Sequence, residues 1–115
     1  MKTALLLGLI SFSALADDYL CPVRLLKMEL SLNEITTLTV QDAQTNEFIY
    51  NGVASEVVTY GNTTDLMFET QAHNFLQLRF KSSDLNDRPE KIMGLVRGFS
   101  GRGFLDQSLT CVRKL

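Results

Sequence analysis

Very few side chains in this sequence could carry out chemistry. His73 is the single histidine. It could act as a general base, but no serine or aspartate pattern marks a nucleophile beside it. Within Gln71-Ala72-His73-Asn74 it reads as a polar turn residue. Glu56, Asp65 and Glu69 are candidates for the paired carboxylates of a glycoside hydrolase, which need not be close in sequence. Their plainer reading is as solvated charges along strand edges. With one histidine and two cysteines expected to bond to each other, a transition-metal site lacks ligands. Phosphate-loop, zinc-protease, nucleophile-elbow and calcium-loop patterns are missing from the sequence. No cofactor is expected, and the chain reads as a non-enzyme.

A second kind of chemistry is recognition. Phe99-Ser100-Gly101-Arg102-Gly103-Phe104 places an arginine between two phenylalanines at a tight turn. Arginine offers bidentate donors and the rings supply apolar area, and both types are enriched at binding hot spots. Phe99, Arg102 and Phe104 are therefore the candidate partner-binding residues. The alternative is a stable hairpin with a solvated arginine, its phenylalanines closing one end of the core.

The remaining reactive side chains are Cys21 and Cys111. Upstream of them, Lys2, the apolar run Ala4 to Ile10 and the small-x-small triplet Ala14-Leu15-Ala16 form the three parts of a signal peptide. Cleavage after Ala16 is expected, leaving residues 17–115 as one domain in the periplasm or outside the cell. Cys21 follows Asp18-Tyr19-Leu20 rather than the small residues of a lipidation site. In an oxidising compartment two cysteines permit one pairing, a Cys21–Cys111 disulfide. In the chain-entropy model a loop of that length stabilises the fold by about 4–5 kcal/mol. Neither cysteine lies in a C-x-x-C motif, and no later segment is apolar enough to span a membrane as a helix.

The elements that would position these groups read as strands. Leu26, Met28, Leu30 and Leu32 alternate with polar residues, as do Leu38 and Val40, and Leu76, Leu78 and Phe80. Asn51-Gly52 predicts a type I′ hairpin turn. Gly61-Asn62 predicts another, and Asn62-Thr63-Thr64 doubles as a glycosylation acceptor in a host that modifies secreted chains. Breaks are expected at Gln71–Asn74 and Ser82–Pro89, the second with room for a helical turn. In the last hairpin, a type II′ turn at Gly101-Arg102 sets Phe99 opposite Phe104, Arg97 opposite Asp106 and Glu90 opposite Arg113. Its inner face would carry Ile92, Val96, Leu105, Leu109 and Cys111. Gly94 and Gly98 on that face leave room for a sheet curve or a bulky neighbour.

Counting runs gives about eight strands, starting near Cys21, Ile35, Glu47, Val53, Asp65, Phe75, Glu90 and Phe104. An even-stranded meander brings its first and last strands to one end, where a disulfide can join them. The expected fold is therefore all-β: an up-and-down barrel closed by the terminal disulfide, with a β-sandwich as the runner-up. The expected core includes Leu26, Leu38, Val57, Phe68, Leu78 and Ile92.

Charge is uneven along this chain. From Asp17 to Leu78 two basic side chains face nine acidic ones, whereas from Arg79 onward eight basic face four acidic. Internal complementarity, with late basic strands beside early acidic ones, explains this more simply than a basic binding face. The mild net negative charge and absence of tryptophan argue against nucleic acid. The reading that results is a small exported domain recognising another protein, with inhibition of an extracytoplasmic hydrolase as one form. A carrier of a small apolar ligand inside the barrel stands beside it, and a two-carboxylate hydrolase behind both.

Overall fold

The computed structural model describes residues 17–70, 74–100 and 103–114. Residues 1–16, expected to be a signal peptide, lie outside the described residues, as do His73, Gly101 and Arg102. Among the described residues, nine strands and one short helix follow in order: β1 (Asp17–Val23), β2 (Leu26–Leu32), β3 (Thr36–Asp42), β4 (Phe48–Val53), β5 (Glu56–Tyr60), β6 (Thr63–Glu69), β7 (Phe75–Lys81), α1 (Ser82–Asp87), β8 (Lys91–Phe99) and β9 (Phe104–Arg113). Strict alternation determines which side of each strand is buried. Along β2, Leu26, Met28, Leu30 and Leu32 turn inward, and along β7, Leu76, Leu78 and Phe80 do so.

All the pairings are antiparallel, and they build one sheet in the order β4-β3-β2-β1-β9-β8-β7-β6-β5. The described chain therefore begins and ends in the middle of the sheet. Tyr19 pairs with Arg113 and Leu20 with Val112, and the same register brings Cys21 to Cys111. Those cysteines form the disulfide, with Cα atoms 4.2 Å apart.

The sheet curls toward a barrel but stays open, which overturns the expected closed eight-stranded barrel. A single sheet also excludes the runner-up sandwich. Two turns account for the difference. The segment after Cys21, expected to be one strand, is two, because the chain reverses between Val23 and Leu26. Arg24 takes the left-handed corner (φ 51°), a conformation that sequence readers look for in glycine or asparagine.

Conversely, Asn51-Gly52 makes no hairpin and lies inside β4, paired with Thr39 and Leu38. Gly52 is there for space: a Cβ on it would run into the Tyr50 phenol folded over the same strand. The chain leaves β4 through Ala54-Ser55 without reversing. An even number of antiparallel steps separates β4 from β5, so both run the same way, and neither pairs with the other. The Ala54 N–H donates to the Thr36 carbonyl at 2.9 Å, and the next N–H, of Ser55, donates to Met67 at 2.8 Å. The chain thus leaves one end of the sheet and joins the other.

The concave side is filled. Tyr19, Phe68, Phe80, Met28, Leu30, Leu38, Leu78 and Ile92 are fully buried there. A Cβ at Gly94 would collide with the Phe80 ring and the Arg79 carbonyl, so Gly94 does make way for a bulky neighbour. Of the expected core, Leu26, Leu38, Phe68, Leu78 and Ile92 are buried, but Val57 is 55 % exposed because no strand follows β5 to cover it.

Candidate functional site

The β8–β9 hairpin has the register read from its sequence. Phe99 lies opposite Phe104 and Arg97 opposite Asp106, and the Arg113 N–H donates to the Glu90 carbonyl. The turn is held by Ser100, whose N–H donates to the Gly103 carbonyl at 3.1 Å and whose hydroxyl donates to the same oxygen at 3.2 Å. Ser100 is buried, so the end of the hairpin is anchored from inside.

Phe99 and Phe104 sit outside the core. Their rings meet edge to face with centroids 5.4 Å apart, and they remain 45 % and 49 % exposed. They do not close an end of the core: by alternation along β9 the next residue, Leu105, is the one that is buried. Phe75, also exposed, starts β7 one step before the Leu76–Gly98 pair and so continues the aromatic row. Sequence reasoning missed Phe75, although the β7–β8 register would have located it.

A groove of about 310 Å³ runs beside this row. One wall is Arg24, Leu25 and Leu26 of the β1–β2 turn, and the other is Ser100, Phe104 and Leu105. The Arg24 Nε–H donates to Gln107 Oε1 at 3.0 Å, which ties the two hairpins together. Leu25 at the corner is exposed, and the groove lining is mainly apolar. Sequence reasoning could not place this wall because the Arg24–Leu25 reversal carried no turn signal.

The three candidate acids are on the outer face of β5 and β6. They do not form a pair of free carboxyl groups in a cleft. Asp65 is bound from both sides: Arg79 Nε donates to Oδ1 at 2.8 Å, and the Tyr60 hydroxyl donates to Oδ2 at 2.8 Å. The Arg79 guanidinium also lies over the Tyr60 ring, 5.8 Å from its centroid. Burial alone would raise the Asp65 carboxyl. Hydrogen bonds from Arg79, Tyr60 and Gln77, with the charge of Arg79, outweigh burial and hold its pKa below the ordinary carboxylate value. The same bond to Asp65 raises Tyr60, with burial adding to it. This is a structural network whose acid is occupied, and Glu56 is exposed at the start of β5.

Part of the charge imbalance is met by internal ion pairs. Arg79 pairs with Asp65, Arg88 with Asp17 at 3.5 Å and Lys114 with Glu29 at 3.3 Å. Each pair joins a late basic residue to an early acidic one. Arg88 lines the hollow of about 580 Å³ between α1 and β1, where the Arg113 guanidinium donates to its carbonyl. Among the described residues no cluster of histidine, cysteine, aspartate and glutamate could hold a metal ion. No helix among them is long and apolar enough to cross a membrane. Comparison with protein-family models, curated proteins and solved structures returns no match for this chain.

Proposed function

We propose that the chain is an exported, non-catalytic domain that recognises another protein through the β8–β9 hairpin, using Phe99, Phe104 and Arg102. The exposed edge-to-face phenylalanine pair beside an apolar groove is the observation that carries this reading. Large aromatic side chains left outside a filled core are costly in water and gain most from burial against a partner. The groove supplies a cleft beside them, and the arginine between them in sequence adds a charged donor. The filled concave side favours a surface site over an interior ligand. Export follows from the signal-peptide pattern and is consistent with the disulfide.

The test is quantitative capture from extracytoplasmic extract on immobilised protein, with two variants run in parallel. Phe99→Ala/Phe104→Ala removes the platform, and Met93→Ala removes an exposed apolar side chain elsewhere on β8. At least one protein should be retained by wild type and by Met93→Ala and lost from the double variant. Identical capture by all three would place any binding site elsewhere.

A further inference from the structure

Asn51-Gly52 makes no turn, but the pair has chemistry of its own. The Gly52 amide nitrogen can attack the side-chain carbonyl carbon of Asn51, because glycine has no Cβ to crowd that nitrogen or to restrict the backbone rotation the attack needs. A carbon–nitrogen bond forms between them, the Gly52 nitrogen gives up its proton, and the side-chain nitrogen leaves with it as ammonia. Water then opens the succinimide ring at either carbonyl, giving aspartate or isoaspartate. Water is the co-reactant, and nothing is oxidised or reduced. Whether the pair can react is decided by the ladder between β3 and β4.

The Ala54 N–H donates to the Thr36 carbonyl, so those two residues form a hydrogen-bonded pair. By alternation along the same register, the Gly52 N–H donates to the Leu38 carbonyl. The attacking nitrogen is therefore tied to β3. Asn51 is held too: its Oδ1 accepts from the Thr39 hydroxyl at 3.4 Å, so its side chain leans across the ladder. The Tyr50 phenol folds over Gly52, and any side chain at position 52 would have to displace it. That packing keeps a glycine where a larger residue would slow the reaction. The guard is thin, however. β4 is an edge of the sheet, held from one side, and its register shifts opposite Val40 and Gln41. Such an edge opens locally at lower cost than the central strands.

We propose that Asn51 is a self-modification site whose rate is set by local release of β4 from β3. Deamidation there puts a carboxylate opposite Thr39. The isoaspartate product also adds a carbon to the main chain, so Tyr50 and Gly52 no longer both keep their partners Val40 and Leu38. The reaction converts a transient opening of this edge into a lasting one. The site is separate from the hairpin proposed above, and either can fail alone.

The test incubates the purified protein at mildly alkaline pH and follows Asn51 by peptide mass spectrometry that separates aspartate from isoaspartate. The reference is an acetylated, amidated Ile-Tyr-Asn-Gly-Val-Ala peptide in the same buffer. Asn51 in the folded protein should react about tenfold or more slowly than the peptide. Ala54→Pro, which removes the bond to Thr36, and Tyr50→Ala, which removes the cover, should each speed it by about threefold or more. Below the unfolding transition the rate should hardly depend on urea, because a local opening exposes little surface. Should Ala54→Pro unfold, Tyr50→Ala and the urea series decide. Equal rates in protein and peptide would show that the ladder guards nothing and overturn the proposal. A rate indifferent to both substitutions, or one that climbs with urea in step with global unfolding, would overturn it as well.

Discussion

The sheet has two seams, and they differ in almost everything that closes a barrel. At the β1–β9 seam the first and last described strands pair antiparallel, a disulfide crosses between them, and Tyr19, Cys21 and Cys111 are fully buried. At the β4–β5 seam the two strands are consecutive in sequence yet run the same way and never pair. They are joined through Ala54-Ser55, where successive N–H groups reach opposite ends of the sheet. Closeness along the chain is therefore no guide to which edges meet. Strand direction sets that, and direction depends on how many turns truly reverse. The disulfide holds the centre of a curled sheet and leaves its margins open.

The largest effect is expected from unfastening the closed seam. Cys21→Ser/Cys111→Ser releases a loop spanning a separation of 90 residues and should cost about 4–5 kcal/mol in the chain-entropy model. Urea unfolding of the variant against wild type measures it, and a loss below about 1 kcal/mol would mean that the β1–β9 ladder holds the seam unaided. Next comes a core truncation on the same side. Leu109→Ala, at a buried position of β9 in the register with Gly94, should cost roughly 3 kcal/mol by the same measurement.

The two seams were also unequally legible in the sequence. The closed one could be read because independent signals agreed. Gly101-Arg102 fixed a turn, and from it one register paired two phenylalanines and two sets of opposite charges while sending Cys111 inward toward Cys21. The open one could not. Arg24 reverses the chain in a left-handed conformation that nothing in its side chain announces. Gly52 follows an asparagine, as a hairpin glycine would, but serves to admit the Tyr50 ring. One reversal was missed and one was added, so the expected strand count stayed near the truth while strand directions did not. The candidate site divided in the same way. Phe99 and Phe104 were visible in the register, whereas the groove wall at Arg24–Leu26 depended on the missed reversal.

A smaller effect should appear beside the open seam, where Asp65 fastens β6 to β7. Its folded pKa lies below its unfolded value, because the bonds from Arg79, Tyr60 and Gln77 exceed the cost of burial. The stabilisation is therefore complete above the unfolded carboxyl range and is lost as pH falls through the folded value. Asp65→Asn should cost roughly 1–3 kcal/mol at neutral pH. It should also flatten the acid limb of the stability–pH curve. An unchanged acid limb in urea midpoints taken from pH 7 downward would show that another carboxyl group dominates it.

The smallest effect is the sharpest test of the comparison, because it asks whether the open seam is truly open in solution. Val57 has the alternation and side-chain type of a core residue, and its side chain lines an open hollow of about 250 Å³ at the β5 edge, with Leu66 and Leu85. At 55 % exposure it has little buried surface to lose. Val57→Ala should therefore shift stability by no more than about 0.5 kcal/mol, the range of an ordinary surface change. If the seam instead closed in solution, with β5 drawn against the start of β3, Val57 would be buried. The same substitution would then cost several times more, in the range of a core truncation. One urea titration of Val57→Ala beside Leu109→Ala separates these cases, since the two substitutions should differ widely if one seam is closed and the other is not.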